Sequence, residues 1–381
     1  MGRQRSEALL VLAAAAVFVH WLPAALLLLA FVALTPGGVD RPALALGIVV
    51  TAGLAVALMV ASPWPLGLMA SGGVAVLLLA PALLRPRLRV DAWQSIATGF
   101  AIGVGANLVM ALLGSGSGPI LPIRGFAAHQ NTLGALVALA TPFVLALAVT
   151  RGGAARVLGF VACLSALGLT GSRSALIALA ASVLVLALLG LAPGSGRGAS
   201  PTRFARIWFV AGVGALLLVG FVWWAVRQPT PDEVTGLTGR ETIWGVAAEM
   251  VLERPLFGHG PRAWADNVAR FEPSLSALRT PHPHNGLLTL ALEVGLFGLC
   301  YTAFYVAALA AGLLADARRR GGVAAAACAV FTAFLAVNLT DSFVTDLRFV
   351  LIVMMVWASA AATLPPPSAP GTDRKRSHPA P

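Results

Sequence analysis

Stretches of roughly twenty apolar residues recur along the whole chain, parted only by short runs of Pro, Gly and Arg. A helix needs about 20 such residues to cross the hydrocarbon core of a bilayer. Only a helix or a closed barrel satisfies every backbone polar group there. Stretches of this length predict an all-α, polytopic transmembrane helical bundle. The segments fall at about 8–20, 24–34, 43–61, 66–82, 93–113, 130–150, 155–170, 174–192, 207–226, 286–313, 322–340 and 347–364, about twelve spans. Pro23 divides the first two, which can equally be one tilted helix over 8–34. Arg3 and Arg5 ahead of this apolar run resemble a signal peptide, but no small-x-small cleavage site follows.

Only 11% of the residues are charged, against about 25% in soluble domains. The net charge of +11 does not point to nucleic acid, because the arginines lie between apolar spans and are not gathered on one face. Cys163, Cys300 and Cys328 all fall inside apolar segments, so neither a disulfide framework nor a cysteine metal cluster is expected.

Short cytoplasmic loops retain Lys and Arg, and the chain obeys this rule at alternate loops. With the N-terminus inside, 17 of the 26 basic residues and 5 of the 15 acidic ones are cytoplasmic, leaving 9 basic against 10 acidic outside. The outer side then receives Arg124, Arg173, the 341–348 turn and a large loop over about 227–285. Within a single transmembrane domain (1–364) this loop is the candidate catalytic region, and the Pro- and Ser-rich segment 365–381 reads as a disordered cytoplasmic tail.

The outer loop contains ETIWGVAAEMVLE, in which Ile243, Trp244, Ala247, Met250 and Val251 recur at helical spacing, an amphipathic helix. It ends at PHPHNGLLTLALEVGLFGL (281–299), where two histidines stand at the mouth of a long apolar segment. Proline beside both His282 and His284 disfavours helix. An extended segment would turn the two rings to opposite sides, so no joint metal site is expected. An imidazole titrates near working pH and suits a general base.

Arg173, in LTGSRSALIALA, is flanked by apolar runs; cations so placed usually face a polar cavity. Arg240 opens the amphipathic helix, where a cation opposes the helix dipole and so invites an anion. Arg124, in PIRGFAAHQN, adds a further cation on the same side. Guanidinium groups match phosphate oxygens bidentately, which makes a lipid-linked phosphate or diphosphate the natural ligand. Such a leaving group needs no acid once arginines hold its charge, and one base suffices for the attacking hydroxyl. The outer loops carry no Asp-x-Asp motif, consistent with metal-free chemistry.

These elements, GR…W…PLFGHGP…HPHNGLLTLALEVGLFGL over 239–299 with RGFAAHQNTLG and LTGSRSALIAL before it, resemble the bacterial O-antigen ligase and O-antigen polymerase superfamily of integral membrane glycosyltransferases. The resemblance implies a multi-pass protein of the inner membrane with its active site facing the periplasm. It implies an undecaprenyl-diphosphate-linked glycan as donor, lipid A-core or a growing glycan as acceptor, and metal-independent, inverting transfer without a cofactor. By position, His284 resembles the catalytic base and Arg173 and Arg240 the diphosphate-binding arginines, with His282, Asn285 and Arg124 in supporting or substrate-binding roles. A transporter is the alternative from another class; it would place charged residues near the bilayer midplane and show inverted repeats, whereas here the polar residues gather at one surface.

Overall fold

The computed structural model describes residues 3–113, 123–127, 129–190, 240–277, 282–320 and 322–362, and every regular element among them is helical. The helices are α1 (Arg3–Ala16), α2 (Trp21–Leu34), α3 (Arg41–Ala61), α4 (Trp64–Leu84), α5 (Ala92–Leu113), α6 (Gln130–Arg151), α7 (Ala154–Thr170) and α8 (Arg173–Gly190). They continue as α9 (Arg240–Glu253), α10 (Ala263–Phe271), α11 (Pro273–Ala277), α12 (Gly286–Arg320), α13 (Val323–Thr340) and α14 (Leu347–Ala362). Six of them, α3, α4, α5, α6, α12 and α13, are long and apolar enough to cross a membrane, and α2, α7, α8 and α14 are shorter apolar helices. The expected span at 207–226, the tail at 365–381 and the loop residues 227–239 and 278–281 lie outside the described residues.

Residues 8–34 form two helices. The chain turns at 17–20, and His20 closes the turn by accepting the Leu22 N–H on Nδ1. α6 and α13 are buried along most of their length and form the centre of the bundle. The other apolar helices leave large side chains such as Leu26, Val60, Met69 and Leu184 exposed, as expected of surfaces that meet lipid.

Two ends of the bundle can be told apart by their contacts. At one, Arg87 donates to the carbonyls of Val32, Thr35, Gly38 and Leu83, and Arg85 pairs with Asp40 at 2.5 Å. The guanidiniums of this loop therefore join α2, α3 and α4 as well as obeying the loop-charge rule. At the other end, the α3 terminus meets Gly260, Asn107 of α5 donates to the Phe18 carbonyl and accepts from Phe126 N–H, and the Ile123 N–H donates to Leu169 O near the end of α7. Gly134 of α6 packs on Thr170 and Ser172, so α6 and α8 begin at this same end.

Helix α12 is broken at Gly295 (φ 62°, ψ −172°). Residues 255–260 lodge against the break, with Leu296 N–H to Pro255 O (2.8 Å), Phe297 N–H to Leu256 O (3.0 Å) and His259 N–H to Leu292 O (2.7 Å). The loop thus satisfies backbone groups the break has freed, one of the ways irregular backbone is tolerated at membrane depth. A Cβ on Gly295 would collide with the Leu256 carbonyl in a conformation essentially reserved for glycine. Gly295→Ala is expected to cost about 3 kcal/mol, read as a lower thermal midpoint of the detergent-purified protein. Gly72→Ala, where a Cβ would meet nothing within 4 Å, should leave the midpoint unchanged or slightly raised. Equal midpoints for the two variants would contradict the seating of the loop.

Candidate functional site

The amphipathic helix forms as α9. Ile243, Val246, Ala247 and Met250 are buried in a small core shared with Trp264 and Val268 of α10, Leu275 of α11 and Leu292 of α12. The apolar stripe therefore packs on the bundle. His259 strengthens this attachment: its Nε2 lies 2.8 Å from the Met250 carbonyl, which can only accept, so Nε2 carries the proton.

The strap from His282 to Asn285 is held between α9 and α13. Trp244 donates its indole N–H to the Pro283 carbonyl (3.0 Å). Asn285 accepts the N–H groups of Leu287 (3.0 Å) and Leu288 (3.1 Å), an N-cap for α12. Its amide also donates to Leu339 O (3.3 Å), and Thr289 meets Ser342 at 2.6 Å, so the start of α12 is bound to the end of α13.

Extended geometry would separate the histidines, and the structure overturns that expectation. The rings of His282 and His284 stand edge to face with centroids 4.9 Å apart. Proline restricts the residue that precedes it, so Pro283 constrains His282 and leaves His284 free. His284 adopts φ +52°, one of two non-glycine residues with positive φ among those described. That left-handed step folds both Nδ1 atoms towards the same carboxylate oxygen, Asp341 Oδ1, at 3.1 Å from His284 and 3.7 Å from His282.

Asp341 is the site residue that sequence reasoning missed. It is an acid at the end of an apolar helix, in the 341–348 turn assigned to the same side as HPHN, but nothing in its spacing links it to residues 57 positions earlier. Its side chain is only 6% exposed, against 26% for each histidine. Burial alone would raise its carboxyl pKa. The His284 hydrogen bond, the Ser342 N–H at 2.9 Å and the two imidazoles outweigh that cost, so the pKa falls below the ordinary carboxylate value and the group stays ionised at neutral pH. An ionised carboxylate only accepts, so His284 Nδ1 is the donor, and in the neutral form of the ring Nε2 holds the lone pair. His282 differs: its Nδ1 accepts the His284 backbone N–H at 3.4 Å. Burial lowers its pKa and outweighs the opposing charge of Asp341, keeping the ring neutral.

His20 and His129 also accept a backbone N–H two residues on, as caps of α2 and α6. His284 is therefore distinguished among the described histidines by donating to a buried carboxylate, the arrangement that fixes a tautomer with a basic Nε2.

The three arginines stand at this same end of the bundle. Arg240 is the first residue of α9, half-buried, one helical turn before Trp244 and on the same face. Arg173 begins α8 and is exposed, and Arg124 is exposed in the segment that hydrogen-bonds to α7. Among the described residues no carboxylate pairs with Arg240 or Arg124. The metal question is open to geometry as well: His282, His284 and Asp341 each offer a ligand atom, all within 4.8 Å of one another.

No curated protein matches the chain. A family model does: residues 158–303 match the family described as O-Antigen ligase, a stretch that runs from α7 through Arg173, Arg240 and the HPHN strap into α12. The chain is thus a multi-pass bundle of apolar helices that, over residues 158–303, is similar to the O-antigen ligase family.

Proposed function

We propose that the protein is an inner-membrane glycosyltransferase that moves a glycan from an undecaprenyl-diphosphate carrier to an acceptor hydroxyl on the periplasmic side, acting as an O-antigen ligase on lipid A-core. The observation that carries this reading is the pairing of His284 Nδ1 with buried Asp341 at 3.1 Å, beside a partly exposed imidazole face. Nε2 of His284 takes the proton of the acceptor hydroxyl as its oxygen attacks the anomeric carbon. The bond from that carbon to the diphosphate oxygen breaks, inverting the centre. Asp341 stabilises the imidazolium that results.

The leaving lipid diphosphate carries its own negative charge. Arg240, with Arg173 and Arg124 at the same end, supplies fixed positive charge for it. His282 and Asn285 hold the strap in position. The family match supports the enzyme class, and no step above requires a metal. The second reading, a polymerase of the same superfamily, uses the same chemistry with a growing glycan as acceptor.

Reconstitution tests both. Purified protein in liposomes, given a lipid-linked glycan and lipid A-core, is expected to yield glycosylated lipid A-core. Elongated lipid-linked glycan without that product would identify a polymerase. Neither product, with either acceptor, would defeat the transferase reading.

A further inference from the structure

We infer that His282, His284 and Asp341 form a binding site for one zinc-class divalent cation, and that occupancy of this site switches off the base. The second part rests on the transferase reading above; the first does not.

Three observations converge. The left-handed turn at His284 gathers two imidazoles around one buried carboxylate oxygen. Zinc bound tetrahedrally at about 2.0–2.1 Å places neighbouring ligand atoms about 3.3 Å apart. The two Nδ1 to Oδ1 separations, 3.1 and 3.7 Å, straddle that value; the donor set spans up to 4.8 Å, so binding draws the imidazoles together by at most about 1.5 Å. Finally, His282 Nδ1 carries no proton, since it accepts a long 3.4 Å backbone N–H bond that a cation would replace, and it lies 3.7 Å from an anionic oxygen. A cation at the meeting point of these atoms would relieve that juxtaposition.

Two imidazoles and one carboxylate select zinc, copper or nickel over magnesium and calcium, which prefer all-oxygen shells. Three protein ligands leave a fourth position for water. The consequence for His284 follows from its tautomer. A metal on Nδ1 takes the place of the proton now shared with Asp341, and that proton moves to Nε2. The nitrogen that would accept a proton becomes an N–H donor. The carboxylate that would stabilise the imidazolium is occupied by the metal.

The experiment uses full-length protein freed of any histidine tag, in nanodiscs, titrated with zinc chloride. One zinc per chain is expected, with a zinc K-edge spectrum showing two imidazole ligands. Transfer should be inhibited by zinc, restored by EDTA and unaffected by equal magnesium. His282→Ala should raise the zinc concentration needed for half-occupancy by at least about tenfold. Failure to bind, a bound zinc without imidazole ligands, or unchanged affinity in His282→Ala would overturn the site. Bound zinc that leaves transfer unchanged, or stimulates it, would overturn the switch. Absence of transfer by the metal-free wild type would count against the transferase reading alone, because the stoichiometry and spectrum still decide the site.

Discussion

Replacing His284 with alanine is expected to lower the turnover of glycan transfer by about 10²–10⁴-fold, the contribution of a positioned general base. The side chain makes one hydrogen bond to Asp341 and leaves the caps of the strap to other groups: Trp244 still holds Pro283, and Asn285 still caps α12. Insertion and expression should therefore survive, and the loss should appear in turnover with little change in the donor concentration for half-saturation. His129→Ala is the matched control. It removes a cap of about 1 kcal/mol from a histidine whose Nδ1 only accepts a backbone N–H, and transfer should fall little. Comparable losses in both variants would mean that His284 serves structure and not proton transfer. Full activity in His284→Ala would remove the base altogether.

The contrast between these two histidines shows what was legible in the chain. The spans were readable because their signal is long: twenty apolar residues in succession leave few alternatives. The amphipathic helix was readable because Ile243, Ala247 and Met250 recur at its period, although nothing local revealed that its apolar face would meet Leu292 of a helix 40 residues further on. HPHN stood out as polar residues at a lipid boundary, and His284 and His282 could be named from it. Their relative orientation could not. It depends on one backbone torsion at His284 that Pro283 leaves unconstrained, and on a carboxylate from the far end of α13 that gives the torsion its purpose. Gly295 was equally silent, since a glycine in an apolar run is common and only the loop lodged against it discloses the break.

Asp341→Asn is the sharper test of that missing partner, because the change is nearly isosteric and removes only the charge. An amide at this position can offer its oxygen to His284 Nδ1–H, which keeps the tautomer but stabilises the imidazolium far less. It can instead offer its N–H₂, which reverses the tautomer and leaves Nε2 protonated. Either outcome weakens the base, and loss of the aspartate of such a pair lowers turnover by about 10⁴-fold where it has been isolated; here 10²–10⁴-fold is expected. The effect should fall on turnover, with the donor concentration for half-saturation little altered, because the arginines proposed to hold the diphosphate are elsewhere. Stability carries an independent signature. The carboxyl pKa is lower in the folded protein than the ordinary 3.8, so the charged group contributes stability above that value and loses the contribution as pH falls through the lower folded pKa. The thermal midpoint of Asp341→Asn should therefore lie below that of the wild type at neutral pH, and the difference should narrow once the pH drops below about 4. A variant that loses stability in this way while transferring glycan at the wild-type rate would make Asp341 a clamp on the strap, and His284 would need another source for its basic nitrogen.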